Sequence, residues 1–332
     1  MILEERVQSL IELGKRISPP DDALNEIIEQ AFHANRWFTP ENIHLALLNI
    51  KEKFLYKETL EKWLSTYSFP ENKMAKSVGI VMAGNLALVG FHDLLCVLIS
   101  GNKALIKLSS KDNVLLPFLL KSLFEINPEW KNFVQTSDLL KGMDAVIATG
   151  SNNTSRYFEY YFGRYPHIFR RHRNAVAVLD GTESHDELEK LGFDIFSYFG
   201  LGCRNVSKLL VPDEYVFDML LESLSHFKKI SDHNKYMNNY DYNRTLLLLN
   251  NTPHLANDFL MLKQDTQVAS PVSVLHYEYY SGESELLQKL NRDEATIQLI
   301  AGKKFNAFGN SQSPELWDYA DGADTIKFLE DL

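Results

Sequence analysis

Apolar positions recur at helical spacing through the first 70 residues. Ile2 and Leu3, Val7, Leu10 and Ile11, and Leu13 mark one stripe, which Pro19-Pro20 stops. Asp21-Asp22 read as the start of a second helix carrying Leu24, Ile27, Ile28 and Ala31. Thr39 and Pro40 read as the cap and first residue of a third, and Tyr56 to Trp63 continues in the same manner. Phe32, Trp37, Phe38 and Trp63 read as packing core within these helices. At Ser77 the pattern changes. Short apolar runs at 78–83, 104–108, 143–148 and 174–179 predict buried strands. Helices are predicted between them over 86–100, over 114–124 and from about Asn153. Strands alternating with helices predict a doubly wound parallel sheet. A second α/β lobe is predicted over about 182–290. It has a helix after His185, a strand leading away from Val206, a strand at 244–249 and another entered through 270–275. Residues 297–300 read as one more strand.

At 332 residues the chain has room for about two domains. A net charge of -10 argues against a general nucleic-acid binder, which would present a basic face. Two cysteines far apart in sequence form neither a disulfide framework nor a zinc pattern, so reduced thiols in the cytoplasm and no metal are expected. The first residues lack the basic start and apolar core of a signal peptide, and no apolar run is long enough to span a bilayer.

In a parallel doubly wound sheet, ligands sit beyond the carboxyl ends of the strands. The polar residues of this chain gather there: Gly84-Asn85, then Lys107 with Ser109-Ser110, then Thr149-Gly150-Ser151. Thr149-Gly150-Ser151 opening a helix would offer N–H groups to an anion such as a pyrophosphate, or act only as a helix cap. Asn85 is either a turn residue or an amide that donates to a developing oxyanion. Lys107 either snorkels to solvent or meets a ligand. Cys203 lies in Gly200-Leu201-Gly202-Cys203-Arg204, ahead of an apolar run. It is either a buried small hydrophobe or a nucleophile on a glycine-bounded turn, beside a cation that favours thiolate. The basic patch Arg170-Arg171-His172-Arg173 is either a solvated strand entry or a contact for a phosphate-rich ligand, and His92 either packs in the core or faces a channel.

The order of these motifs resembles the aldehyde dehydrogenase superfamily, and within it the LuxC-like acyl-CoA reductase family. The segments that carry the resemblance are Ala83 to Asp93, Ser100-Gly101-Asn102, Gly200 to Arg204, and Tyr319 to Thr325. It covers about residues 75–330. The first 70 residues, helical by their apolar spacing, are not matched by it; beyond them it implies a cofactor-binding domain (71–181), a catalytic domain (182–300) and a segment returning to the cofactor domain (301–332). It implies Cys203 as nucleophile, with Asn85 and the Cys203 N–H as oxyanion donors. Lys107, Ser109, Ser110, Thr149, Gly150 and Ser151 would contact the cofactor, Lys107 at the adenosine ribose. Gln267 stands where relatives place a ribose-contacting glutamate. Phe169 stands where aldehyde-oxidising relatives place the glutamate that activates water.

Taken together, these implications describe an acyl-CoA reductase that forms a fatty aldehyde through a thioacyl-Cys203 and hydride from NADPH, with NADH also admitted. Ser110, where NAD-preferring relatives carry a glutamate, and Lys111 beside it favour NADPH. The partners expected are acyl-CoA, and either an acyl-activating enzyme or a second copy of the chain. Two other readings stay open: reduction of an acyl phosphate in the same fold, and a non-catalytic binding subunit.

Overall fold

A computed structural model describes residues 1–17, 22–70, 74–150 and 152–332. Pro19-Pro20, Asp21 and Ser151, singled out from the sequence, lie outside the described residues. The chain forms two compact units. The first comprises residues 1–172 and 314–332, the second 173–313.

The first unit begins with helices α1 (Leu3–Arg16), α2 (Asp22–Ala34) and α3 (Pro40–Asn49), a π-helical segment (Ile50–Phe54) and α4 (Lys57–Leu64). The cap at Thr39 is as expected: its side chain accepts the Asn42 N–H, and Pro40 opens α3. Strand β1 (Ser77–Val81) follows, then α5 (Phe91–Ile99), β2 (Lys103–Lys107), α6 (Leu115–Ile126), β3 (Val134–Thr136), β4 (Ala145–Thr149), α7 (Asn152–Phe162) and β5 (His167–Arg170). The five strands are parallel, in the order β3-β2-β1-β4-β5. Strand order reverses between β1 and β4, and a doubly wound sheet opens its ligand crevice at that reversal. Both faces of the sheet are covered, so Ile80, Ile106 and Ile147 are all buried. Leu10 and Leu13 of α1 share one apolar space with Leu94 and Leu95 of α5 and Leu119 and Leu123 of α6. The helical N-terminal region is thereby fastened to the helices of the sheet.

The second unit contains β6 (Asn174–Val178), α8 (His185–Phe196), β7 (Val206–Pro212), α9 (Asp218–Leu224), α10 (Asn234–Leu249), β8 (Leu255–Ala256), β9 (Met261–Gln264), β10 (Val274–Tyr280), α11 (Glu283–Asp293) and β11 (Ile297–Ala301). Its sheet runs β11-β6-β7-β10-β9-β8, parallel except for the edge strand β8. Lys208 of β7 is fully buried in it and donates to Glu278 at 2.6 Å, to Asp293 at 3.1 Å and to the Thr266 carbonyl at 2.7 Å. Burial would raise the Glu278 pKa, but bonds from Arg292, Lys208 and Lys289 hold it at about 2. Residues 314–332, with α12 (Thr325–Glu330), belong to the first unit. Among the described residues, no helix is long and apolar enough to cross a membrane.

Three elements differ from the sequence expectation. The helix expected from Leu86 begins only at Phe91, because 85–90 form turns in which Leu88 takes a left-handed φ of 57°. The strand expected at 174–179 lies in the second sheet, and β5 takes the edge of the first. The strand expected at 244–249 is the last part of helix α10, whose Tyr236, Tyr240 and Asn243 turn inward while Leu246, Leu248 and Leu249 are exposed.

Candidate active site

In the first unit, the expected site residues stand at the carboxyl ends of the strands. Asn85 lies in the turn after β1 and is exposed. Lys107 is the last residue of β2 and is exposed, Ser109 is half-buried, and Ser110 is exposed. Thr149 ends β4, and Gly150 precedes α7. A Cβ on Gly150 would stand 2.9 Å from the Phe158 ring, so a side chain there would have to displace that ring. A Cβ on Gly84 would meet the Ser109 Oγ at 2.3 Å, so the loops after β1 and β2 are in direct contact. The loops after β1 and β4 flank the strand-order reversal, and the loop after β2 packs against the first of them. A cavity of about 900 Å³, lined in part by Arg6, Phe69, Asn102 and Phe133, opens instead at the amino ends of the strands, away from these residues.

In the second unit, a short 3₁₀ turn (Ser197–Gly200) links α8 to the cysteine. Three successive residues there have left-handed backbones: Tyr198 (φ 53°), Phe199 (φ 61°) and Gly200 (φ 75°). Each of the two aromatic residues costs roughly 1–2 kcal/mol in that conformation. Such strain persists only where surrounding contacts over-determine it, and it gathers at functional sites. The contacts come from Asn205, which is fully buried. Its Oδ1 accepts the Gly202 N–H at 2.8 Å, and its Nδ2 donates to the carbonyls of Ser197 (2.8 Å), Asp194 (3.1 Å) and Ile195 (3.3 Å). Phe199 is held against His233, with ring centroids 4.3 Å apart. Cys203, half-buried, follows this turn and leads through Arg204 and Asn205 into β7.

Arg204 donates from Nε to the Ser311 carbonyl at 2.5 Å. Asp194, also fully buried, accepts from the Gly309 and Ser311 N–H groups and from the Ser311 hydroxyl. Burial raises the Asp194 pKa, and these bonds with the nearby Arg204 charge offset part of the rise. The cysteine turn is thus gripped from α8 through Asn205 and from the 309–311 loop through Arg204. Asn205 and Asp194 were not singled out in the sequence, because nothing in a lone Asn or Asp reports that its bonds converge on a turn.

The basic patch proves structural at its first residue. Arg170 is buried, and its guanidinium forms a two-point pair with Asp93 of α5 at 2.7 and 3.0 Å. It also donates to the Ala320 carbonyl and to the Thr325 hydroxyl, while the Arg171 N–H donates to Asp321. His92 donates from Nε2 to the Leu316 carbonyl at 2.9 Å and packs among Phe54, Trp63 and Tyr319. Burial lowers its pKa, so it is a neutral core histidine. Trp63 donates to the Tyr319 hydroxyl, which bonds Tyr67, and Tyr67 donates to Asp324. Two of the four resembling segments, 83–93 and 319–325, therefore meet each other. Phe169 stacks on His167 at 3.9 Å and packs on Phe158, while His172 is exposed. Gln267 is exposed, and its carbonyl accepts from buried His276.

A model of the acyl-CoA reductase (LuxC) family matches residues 9–225, a span that holds both Asn85 and Cys203. The chain belongs to the acyl-CoA reductase (LuxC) family. No curated protein matches it in sequence. Solved structures, among them aldehyde dehydrogenases, share the fold of this family member. One is an NAD-dependent aldehyde dehydrogenase from Sinorhizobium meliloti, at 12% identity and TM-score 0.69, covering 94% of this chain and 72% of that one. A second is a Mycobacterium tuberculosis aldehyde dehydrogenase complexed with NAD+, at 12% identity and TM-score 0.64, covering 91% and 73%. A third is an E. coli NADP-dependent enzyme, at 12% identity and TM-score 0.65, covering 91% and 73%.

Proposed function

We propose that the protein reduces an acyl-CoA thioester to an aldehyde, with Cys203 as the acyl acceptor. The observation that carries this reading is the strained turn of Tyr198, Phe199 and Gly200, pinned by Asn205 beside Cys203 in a member of the acyl-CoA reductase family. The Cys203 thiolate attacks the thioester carbonyl. The oxyanion that forms is stabilised by the Cys203 N–H and the Asn85 amide, the roles implied by the family resemblance. Collapse breaks the carbonyl–sulfur bond to CoA, which leaves as its thiolate and takes up a proton. Exchange of one thioester for another is nearly isoenergetic, so the protein supplies chiefly a positioned nucleophile and oxyanion donors.

The end of β2 with Ser109 and Ser110, and the entry to α7 at Thr149 and Gly150, would hold a nicotinamide dinucleotide. The exposure of Lys107 and Ser110, and the strand-order reversal between β1 and β4, suit that group. When bound, the nicotinamide supplies the hydride that turns the Cys203 thioester into a thiohemiacetal. Expulsion of Cys203 as thiolate then releases the aldehyde. Incubation with a panel of acyl-CoAs and either nicotinamide, with detection of aldehyde, tests the reading. Aldehyde from an acyl phosphate and none from any acyl-CoA would replace it.

NADPH is the expected reductant. Ser110 and Lys111 are both exposed, and neither repels a 2′-phosphate. Ser110→Glu adds a like charge beside that phosphate. It is expected to weaken NADPH binding about tenfold more than NADH binding. Equal affinities of the variant and wild type for both nucleotides, measured by fluorescence titration, would remove this role from the loop.

A thioacyl-Cys203 is also expected to resist water. Hydrolysis needs a base within hydrogen-bond reach of the attacking water. The position where relatives place that base is Phe169, which packs on His167 and Phe158, and the Arg170 guanidinium beside it is committed to Asp93. Labelled acyl-CoA without reductant should give an adduct that returns its acyl group to added CoA and yields little acid. Rapid release of acid would point to His172 or a carboxylate from another segment.

A further inference from the structure

Asp112 lies between the two stretches of the first unit that carry proposed site residues. It is only 9% exposed. Its Oδ2 accepts the Leu88 N–H at 2.7 Å, and its own N–H donates to the Ser109 carbonyl at 3.1 Å. Its Oδ1 is buried and finds no hydrogen-bond partner among the described residues. Leu88, with φ 57°, is held in a left-handed conformation at the other end of that bond. The segment 84–88 therefore rests on the loop after β2 at both ends: Gly84 lies against the Ser109 side chain, and Leu88 is bonded to Asp112. Asn85 lies between these two holds.

We propose that Asp112 is a positioning residue that couples occupancy of a phosphorylated ribose at Ser109, Ser110 and Lys111 to the conformation of the Asn85 loop. This rests on the reductase reading for the identity of the ligand, and deepens it. Movement of the β2 loop around a bound nucleotide is passed to 84–88 through the Asp112–Leu88 bond and the Ser109–Gly84 contact. Because coupling is reciprocal, a substrate that orders the Asn85 loop tightens nucleotide binding by the same factor.

The charge balance of Asp112 agrees with a role other than stability. Burial raises its pKa to about 6, opposed by the Leu88 N–H. The cations of its own loop and strand, Lys111 and Lys107, are exposed. A carboxyl whose folded pKa is raised stabilises the fold most when protonated, and that stabilisation falls as the pH rises from the ordinary carboxylate range towards 6. At neutral pH the fold thus keeps a carboxylate that costs it stability, a common mark of a functional position.

Amide hydrogen exchange of the full chain, with and without 2′-phospho-ADP-ribose, tests the coupling without any turnover. In the wild type the probe should slow exchange about tenfold in both 107–112 and 84–90. Asp112→Ala should keep the effect in 107–112 and lose it in 84–90. Asp112→Asn, which retains an acceptor for the Leu88 N–H, should restore it. Slowing confined to 107–112 in the wild type overturns the inference without need of any variant. Equal slowing of 84–90 in wild type and Asp112→Ala overturns it too. Slowing in neither segment removes the nucleotide from this loop, and the coupling with it. Acylation of Cys203 by acyl-CoA without the probe is read in parallel by mass spectrometry. Its absence would sink the reductase reading while leaving the exchange result to decide the coupling.

Discussion

Cys203→Ala is expected to abolish formation of an acyl-enzyme, and Cys96→Ala to leave it intact. The two thiols differ in placement. Cys96 lies inside α5, fully buried, with His92 Nδ1 3.9 Å from its sulfur. Burial, reinforced by the charge of Asp93, pushes its pKa well up, so it stays a thiol. Its removal costs packing and a weak sulfur contact to His92, about 1–2 kcal/mol together. Cys203 is half-buried just after a strained turn that the Asn205 side chain brackets with hydrogen bonds. Intact-mass measurement after incubation with acyl-CoA, without reductant, reads both variants. An adduct on Cys96, or an unchanged adduct yield in Cys203→Ala, would end the assignment.

The largest stability effect is expected at Arg170. Side-chain exposure is 4% for Arg170 and 9% for Asp93, so neither charge has water to fall back on. Burial alone would raise the Asp93 pKa, but the Arg170 charge and its hydrogen bonds more than reverse this and leave it lowered. The stabilisation is therefore present above the ordinary carboxylate range and is lost as the pH falls through the depressed folded value. Arg170→Met leaves Asp93 buried with an uncompensated charge and also removes the donors to Ala320 and Thr325. A loss of about 3–5 kcal/mol at neutral pH is expected, measured by urea unfolding. The double variant Arg170→Met/Asp93→Leu should recover part of that loss, because no charge is then stranded. A single variant within about 0.5 kcal/mol of wild type would show that the pair does not hold the unit together.

The parts legible in the sequence were those whose signal is local. Helical spacing marked α1 to α4, and strand–helix alternation marked the parallel sheet, because burial on both faces writes continuous apolar runs. Cys203 stood out because it follows Gly200-Leu201-Gly202 and precedes a cation, a pattern that suits a nucleophile as well as a buried small hydrophobe. The run Leu246 to Leu249 misled, because four leucines fit a buried strand as well as a helix end, and only the inward turn of Tyr236, Tyr240 and Asn243 decides it. The start of α5 was hidden for another reason. Leu88 takes a positive φ that no leucine advertises, and the bond that holds it comes from Asp112 in the next loop. Asp93 and Arg170 act through partners distant in sequence, so their roles appear only once the chain is folded.

The division of the chain also orders its making. Residues 173–313 form the second unit, while the first is built from 1–172 and 314–332. A ribosome releases the whole inserted unit before it delivers Leu316, Tyr319, Ala320, Asp324 and Thr325. Until then the nascent first unit holds His92, Trp63, Tyr67 and Arg170 without the acceptors and rings they meet in the finished protein. Domains generally fold as they emerge, but here the earlier-made half closes last, and a chain halted after residue 313 leaves its buried cation short of two of its partners.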